Sequence, residues 1–241
     1  MRHYALGVTY HGEPFHGWQR QADVATVQGA LEQALSKVAD HAVTVRVAGR
    51  TDAGVHATGQ VAAFNSAAPR STKDWLRGAN ALTPDAVRVD WVEPVPASFH
   101  PRYSATARRY LYIFHDAGVA HPLLRGQVWS CTPLDADAMH RAAQVLVGEH
   151  DFSAFRAAGC QSLTPMRRVN RCDVIRRREL VLMEIEANAF LLHMVRNIAR
   201  ALHDIGSSSS MLDMAVLLAQ RDRTLLGATA PPDGLYLSAV S

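Results

Sequence analysis

The sequence predicts a protein of the α+β class. Segments that alternate apolar and polar residues, as strands do, are interspersed with segments of helical periodicity along the 241 residues. The order strand, helix, strand, strand, helix, strand occurs twice, which is the order of a ferredoxin-like unit. With 48% hydrophobic residues, the chain can also bury a sizeable core. We therefore expect two ferredoxin-like halves, residues 1–100 and 101–241, that share an extended antiparallel sheet.

The first half contains four predicted strands and two predicted helices. Thr26 is the expected N-cap of the first helix, since its side chain can accept a backbone N–H of the first turn. Pro84 ends the second helix, because proline disrupts a helix interior. The expected order is strand 3–10, helix 27–38, strand 43–48, strand 60–64, helix 75–82 and strand 86–92.

The second half repeats this order with one additional helix. Asp135 caps its first helix, and Asn188 is a suitable cap for the second. The second helix ends at Gly206, which four serines follow. The expected order is strand 108–115, helix 136–147, a hairpin of strands 169–176 and 180–187, helix 189–205, helix 211–219 and strand 235–240.

If two such units join edge to edge, the helices cover one face of the sheet and leave a cleft on the other. An open sheet face with loops at its rim is a common way to bind RNA. The same architecture also occurs in proteins that bind nothing of this kind, so the fold alone does not decide the function.

Composition argues against several classes of protein. No window of about 18 apolar residues is present, so we expect no membrane span. The N-terminal residues predict a strand rather than the apolar region of a signal peptide. Cys131, Cys160 and Cys172 form no CxxC pair, which favours reduced thiols in the cytoplasm over disulfides or a zinc ribbon. No GxxxxGK[ST], HExxH or GxSxG motif occurs, so the sequence offers no nucleotide-binding loop, no metal-ligand pattern and no nucleophile elbow.

The basic residues are almost all arginine. The 25 basic and 22 acidic residues give a net charge of +3, and Lys37 and Lys73 are the only lysines. Arginine binds phosphate and stacks on bases better than lysine does, so this composition is compatible with a nucleic-acid partner. A genome that favours arginine codons explains the same bias, and the many alanines agree with that explanation.

A polar loop between two strand-like segments is the first candidate site. Residues 48–57 read Ala-Gly-Arg-Thr-Asp-Ala-Gly-Val-His-Ala. Arg50 and Asp52 are two residues apart, so in an extended segment both side chains leave the same face. A neighbouring arginine favours the ionised form of a carboxylic acid, as a nucleophile or an anchored ion requires. An ordinary Asp–Gly turn with a surface ion pair fits the same residues.

Tyr110 is a second candidate. It shares one face of its predicted strand with Arg108, while Arg109 lies on the other face. A tyrosine beside arginines can stack on a base while the arginines bind phosphate. A tyrosine of the core gives the same pattern.

Arg196 is a third candidate. It lies one turn before Arg200 on the predicted helix, and His193 lies on the same side. Such a stripe can bind an anion, or it can be an ordinary solvated face.

Six segments resemble, in order, the sequence signatures of the TruA-type tRNA pseudouridine synthases. Residues 49–57 resemble the catalytic loop of that family. Together the segments span nearly the whole chain, which makes the resemblance specific. The other five are residues 10–21, 104–110, 152–156, 188–198 and 230–237.

The resemblance implies an isomerase that converts uridine to pseudouridine at positions 38, 39 and 40 of the tRNA anticodon stem-loop, without a cofactor. It places Asp52 on the catalytic aspartate, Tyr110 on the substrate-binding tyrosine, and Arg50 and Arg196 on arginines around the aspartate. It also implies a homodimer with the active-site cleft between two ferredoxin-like halves. The alternatives are a non-catalytic RNA-binding module on the same fold and a pseudouridine synthase with another RNA target.

Overall fold

The computed structural model describes residues 1–207 and 213–241. Within these residues the chain forms ten β-strands and five α-helices, which confirms the α+β class. Two compact units are present, one of residues 1–106 with 236–241 and one of residues 107–235. A domain boundary at residue 100 stays a prediction. None of the helices in the described part of the chain has the length and apolar character needed to cross a bilayer.

The first unit has the predicted order of strands and helices. The elements are β1 (Arg2–Tyr10), α1 (Val27–Ala39), β2 (Arg46–Val47), β3 (His56–Ser66), α2 (Thr72–Leu82) and β4 (Val87–Pro94). Strand β1 lies between β3 and β4 and is antiparallel to both, and β2 is antiparallel to β3 on its other edge. This arrangement, β4-β1-β3-β2, is ferredoxin-like.

Local capping fixes where the two helices of this unit begin. The Thr26 side chain accepts the backbone N–H of Gly29 at the start of α1, as predicted. Helix α2 begins three residues earlier than the apolar pattern suggested, because Ser71 and Asp74 form a reciprocal capping box there. The helix then buries Trp75, whose ring packs against Phe64 of β3.

Strand β2 is shorter than the predicted strand 43–48, and helix α1 explains why. The backbone N–H of Val45 donates to Glu32 Oε1 at 2.9 Å, and that of Val43 donates to Ser36 Oγ at 2.9 Å. These donors therefore bind helix side chains instead of β3. The part of the β3 edge that β2 leaves open pairs with the final strand, since Tyr236 lies opposite His56 in a parallel pairing.

The elements of the second unit are β5 (Arg108–His115), β6 (Trp129–Ser130), α3 (Ala136–Gln144), β7 (Gly148–Asp151), β8 (Met166–Arg177), β9 (Leu180–Ala187), α4 (Met194–Gly206) and α5 (Met214–Gln220). The final strand, β10 (Leu235–Val240), lies almost entirely in the first unit. The second unit is built on four antiparallel strands in the order β5-β9-β8-β7, with β6 parallel to β5. Strands β5 and β9 have their predicted bounds. Strands β6 and β7 are not predicted by the sequence, because two and four residues are too few to show a period.

The prediction that Asn188 caps helix α4 is wrong. Asn188 Oδ1 instead accepts the backbone N–H groups of Arg168 and Ala189, at 3.0 and 2.8 Å, and so ties the end of β9 to β8. The helix starts at Met194, after His193 in a left-handed conformation with φ of 59°. Residues 208–212, which include most of the predicted serine loop and the start of the predicted helix 211–219, lie outside the described residues.

Candidate active site

Asp52 lies in the loop that joins β2 to β3. The loop leaves the sheet after Ala48, whose N–H donates to the carbonyl of Val61 at 2.9 Å. It returns through a tight turn in which the N–H of Val55 donates to the Asp52 carbonyl at 3.2 Å. The Asp52 side chain is half-buried. The loop thus presents a carboxylate that a ligand can reach from one side.

The segment after β1 packs its backbone directly against this loop. The Trp18 N–H donates to the Thr51 carbonyl at 3.0 Å, and the Gly54 N–H donates to the Phe15 carbonyl at 3.4 Å. A Cβ atom on Gly12 would overlap the carbonyl oxygen of Val55. A Cβ atom on Gly17 would lie 2.7 Å from the Thr51 oxygen, and its φ of +85° also favours glycine. The two backbones can approach this closely only because both positions are glycine.

His56, at the start of β3, fixes the other end of the loop. Its Nδ1 accepts the backbone N–H of Gly12 at 3.0 Å, so the proton of the neutral ring lies on Nε2. The ring is buried and stacks on Tyr236, with 4.6 Å between the centroids. Sequence reasoning did not identify this contact, because Tyr236 is 180 residues away along the chain.

Arg50 does not form the expected pair with Asp52. Its side chain is exposed, and it makes no hydrogen bond or ion pair with any residue of the ranges 1–207 and 213–241. The expectation assumed an extended segment, whereas β2 ends at Val47 and the chain from Ala48 onward is a loop. The guanidinium therefore lies in solvent, where a ligand can reach it.

Tyr110 lies in the middle of β5, opposite Ile185 of β9. Its side chain is 9% exposed and meets the ring of Phe190 edge-on, at 5.1 Å between centroids. Arg109 forms an ion pair with Glu186 at 2.9 Å, while Arg108 donates to the carbonyl of Asn188 at 3.0 Å. Phe190 therefore orients the ring of Tyr110, which is largely buried.

Arg196 is half-buried on helix α4, and its Nε donates to the carbonyl of Ala230 at 2.7 Å. Arg200, one turn later, forms an ion pair with Asp204 at 2.9 Å. His193 lies before the helix in the left-handed conformation. Arg196 and Arg200 thus lie one turn apart on the helix as expected, whereas His193 precedes it, and Arg196 binds the segment before β10.

Asn197 joins two of the sequence segments that prompted the resemblance. Its Nδ2 donates to the carbonyl of Phe155 at 2.8 Å, and its Oδ1 accepts from Thr229 Oγ1 at 2.9 Å. Tyr112 adds a further contact, because its hydroxyl donates to the Pro231 carbonyl at 2.8 Å. Burial raises the pKa of Tyr112, so this donor keeps its proton at neutral pH. These bonds fix the segment that includes Pro231 and Pro232 within the second unit.

Among the described residues, no group of three or more His, Cys, Asp or Glu side chains is placed to hold a metal ion. The chemistry that these side chains can supply is that of a carboxylate at Asp52, a phenol at Tyr110 and guanidinium groups at Arg50 and Arg196. A carboxylate can act as a nucleophile or as a general base.

The sequence profile of a family described as tRNA pseudouridine synthase matches residues 7–104 and 142–241. Three curated relatives carry the name tRNA pseudouridine synthase A. That of Coxiella burnetii (strain Dugway 5J108-111) is 49% identical over 243 residues, which cover 100% of this chain and 93% of the relative. Those of Shigella boydii serotype 4 (strain Sb227) and Escherichia coli (strain SMS-3-5 / SECEC) are 51% and 50% identical, and each alignment covers 98% of this chain and 88% of the relative.

Solved structures give a weaker likeness. The crystal structure of the archaeal box H/ACA sRNP Nop10-Cbf5 complex matches with 12% identity and a TM-score of 0.40. The match covers 83% of this chain and 44% of that chain. A likeness of this size carries no argument.

The close approach at Gly17 predicts a stability difference between two glycine-to-alanine variants. Gly17→Ala adds a crowded Cβ atom to a residue with positive φ. Gly118→Ala is the matched control, since Gly118 has a φ of +75° and open space around the new atom. Both variants incur the left-handed penalty of about 1–2 kcal/mol, and we expect Gly17→Ala to lose at least about 1 kcal/mol more. Urea denaturation measures the two losses, and equal losses would contradict a tight contact at Gly17.

Proposed function

The chain belongs to the tRNA pseudouridine synthase family, and on that premise we propose that it isomerises uridines 38, 39 and 40 of the tRNA anticodon stem-loop with Asp52 as the catalytic carboxylate. The enzyme class and tRNA pseudouridylation follow from the family profile and from relatives about half identical over nearly the full chain. The position of Asp52 is the observation that supports its catalytic role. It is a half-buried carboxylate on a loop that the backbone of residues 12–18 holds at close range.

The reaction itself needs no outside reagent. The bond between N1 of uracil and C1′ of ribose breaks, the base turns, and C5 bonds to C1′ while the hydrogen on C5 leaves as a proton and N1 gains one. Substrate and product have the same composition, so no oxidant, reductant or group donor takes part. Asp52 attacks C1′, attacks the pyrimidine ring, or removes a proton from the sugar, and each of these three routes requires an ionised carboxylate.

Tyr110 is proposed to stack on the uracil after the nucleotide has left its helix. Flipping a nucleotide costs a few kcal/mol, and an aromatic surface offsets part of this cost. The edge-on contact with Phe190 supports the role, because it orients a phenol ring that is not fully covered. We further propose that Tyr110 and Arg196 act on the same nucleotide as Asp52. The Tyr110 hydroxyl can assist removal of the C5 proton.

The arginines have different proposed tasks. Arg50 is exposed, so it suits direct contact with a tRNA phosphate. Arg196 is oriented by the Ala230 carbonyl, so it suits a fixed charge near the reacting nucleotide. We also propose that the enzyme works as a homodimer in the cytoplasm, as the family resemblance implies.

Two alternatives are separated by simple measurements. A non-catalytic RNA-binding module is disfavoured by the relatives, which are named as synthases. A synthase with another RNA target remains the rival to the proposed sites 38–40. Mapping pseudouridine in the RNA of a strain that lacks this protein decides between them, since only uridines modified by this enzyme lose the modification.

Asp52→Asn is expected to abolish turnover, because the amide can neither attack nor accept a proton as a carboxylate does. Tritium release from tRNA labelled with [5-³H]uridine measures turnover, and filter binding measures tRNA affinity. We expect no release above background and unchanged affinity. Asp85→Asn is the control, since Asp85 is a surface residue of the same unit. Turnover by the Asp52 variant would show that another group does the chemistry.

Tyr110→Phe keeps the aromatic ring and removes the hydroxyl. If the phenol assists proton removal, turnover falls by about 100-fold or more while tRNA affinity stays constant. Tyr103→Phe is the control, because the Tyr103 side chain is 77% exposed. The tritium assay is run under single-turnover conditions so that product release does not mask the step. Full activity would limit Tyr110 to stacking and packing.

Arg50→Ala is expected to weaken tRNA binding and to make the binding constant less dependent on salt concentration. Each phosphate contact contributes about 0.7–0.9 to the slope of log K against log salt concentration, so the slope falls by about that amount. Arg77→Ala removes the same charge from the exposed side of helix α2 and serves as the control. An equal change of slope in both variants would indicate a general charge effect and exclude a specific phosphate contact at Arg50.

A further inference from the structure

A buried chain of side-chain hydrogen bonds lies under the Asp52 loop in the first unit. Gln60 on β3 donates its Nε2 to the carbonyl of Gly49 at 2.7 Å and to the Tyr10 hydroxyl at 3.4 Å. The Tyr10 hydroxyl lies 2.8 Å from Thr51 Oγ1. Either hydroxyl can donate in this bond. The chain therefore reaches the loop at two residues, one on each side of Arg50.

All three side chains are shielded from water. Gln60 is 0% exposed, Tyr10 is 3% exposed and Thr51 is 7% exposed. In such surroundings a hydrogen bond is strong, and water does not replace a partner that has been removed. Burial also raises the pKa of Tyr10 to about 12, so its phenol stays protonated at neutral and moderately alkaline pH.

Core packing alone does not explain a glutamine at position 60. Its Oε1 is buried and has no hydrogen-bond partner within the described residues. A buried amide with one unsatisfied atom is less favourable than an apolar side chain of similar size. An apolar side chain would lose the two bonds made by the Gln60 Nε2, one to the loop carbonyl of Gly49 and one to the Tyr10 hydroxyl.

Thr51 is the residue through which this chain reaches Asp52. Its hydroxyl meets Tyr10, its carbonyl accepts the Trp18 N–H at 3.0 Å, and its peptide bond leads directly to Asp52. Side chain and main chain of Thr51 are therefore anchored separately. A misplacement of about 1 Å at a reacting group can reduce a rate by about 100-fold.

We infer that Tyr10, Gln60 and Thr51 are positioning residues that set the location of Asp52 and thereby act on turnover rather than on tRNA binding. This inference rests on the proposed catalytic role of Asp52. None of the three side chains has to touch the substrate.

The test compares Tyr10→Phe with Tyr4→Phe. Both tyrosines lie on β1, are 3% exposed and use their hydroxyl in a hydrogen bond, but Tyr4 donates to the carbonyl of Arg70, away from the loop. We expect Tyr10→Phe to lower kcat about 10- to 100-fold with KM and tRNA affinity unchanged. Tyr4→Phe keeps the kcat of the wild type. The melting temperatures of the two variants show whether any loss of stability is shared.

Substitutions at Thr51 provide the second part of the test. Thr51→Ser keeps the hydroxyl and should retain most of kcat, whereas Thr51→Val removes it and should match Tyr10→Phe. The double variant of Tyr10→Phe with Thr51→Val should be no worse than either single one, because the two changes break the same bond. Additive losses, a parallel rise in KM, or equal kcat values for the Tyr4 and Tyr10 variants would overturn the inference.

The positioning role of the hydrogen-bonded residues and the catalytic role of Asp52 can fail independently. If Asp52→Asn retains turnover, the catalytic assignment fails, whatever the Tyr10 variant does. If Asp52→Asn is inactive and Tyr10→Phe turns over at the wild-type rate, the catalytic assignment stands and the positioning role is excluded.

Discussion

The contact between two stretches of backbone, residues 12–18 and the Asp52 loop, determines much of the first unit. It requires glycine at positions 12 and 17, because any larger residue would place a Cβ atom against a carbonyl of the loop. Buried backbone groups must also find partners, and here each stretch supplies them to the other. The loop can therefore lack regular secondary structure and still be held by backbone hydrogen bonds at several points.

The need to pair backbone N–H groups also shapes the edge of the sheet. Helix α1 contributes Glu32 and Ser36, and their side chains accept N–H groups that would otherwise extend β2 along β3. The residues that carry these N–H groups would pair near the end of β3, since Arg46 lies opposite Ala63. The start of β3 pairs instead with β10, which brings Tyr236 onto the ring of His56. A strand from the far end of the sequence thus supports the end of the Asp52 loop.

Local signals predicted much of the fold. Alternation of apolar and polar residues predicts strands β5 and β9, and the Thr26 cap predicts the start of helix α1. All three lie where the sequence indicates. One error arises where a side chain bonds to a distant backbone group. Asn188 looked like a helix cap, but its partner is the N–H of Arg168, 20 residues earlier. Arg50 and Asp52 looked like a pair only under the assumption of an extended chain. No local sequence pattern shows which distant partner a side chain binds or whether the segment is extended.

Buried polar residues anchor loops in both units. In the first unit, Gln60 and Tyr10 reach the loop of Asp52 from rigid strands. In the second, Asn197 on helix α4 accepts from the Thr229 hydroxyl and Tyr112 on β5 donates to the Pro231 carbonyl, both in the segment before β10. Arg196 donates to the Ala230 carbonyl of the same segment. In each case a strand or helix supplies the polar group, and the loop supplies a carbonyl or hydroxyl. A loop anchored in this way gains the precision of the element that holds it, because a buried hydrogen bond tolerates little displacement. It follows that the residues that fix these loops lie in neighbouring strands and helices, as Gln60 on β3 and Asn197 on α4 do.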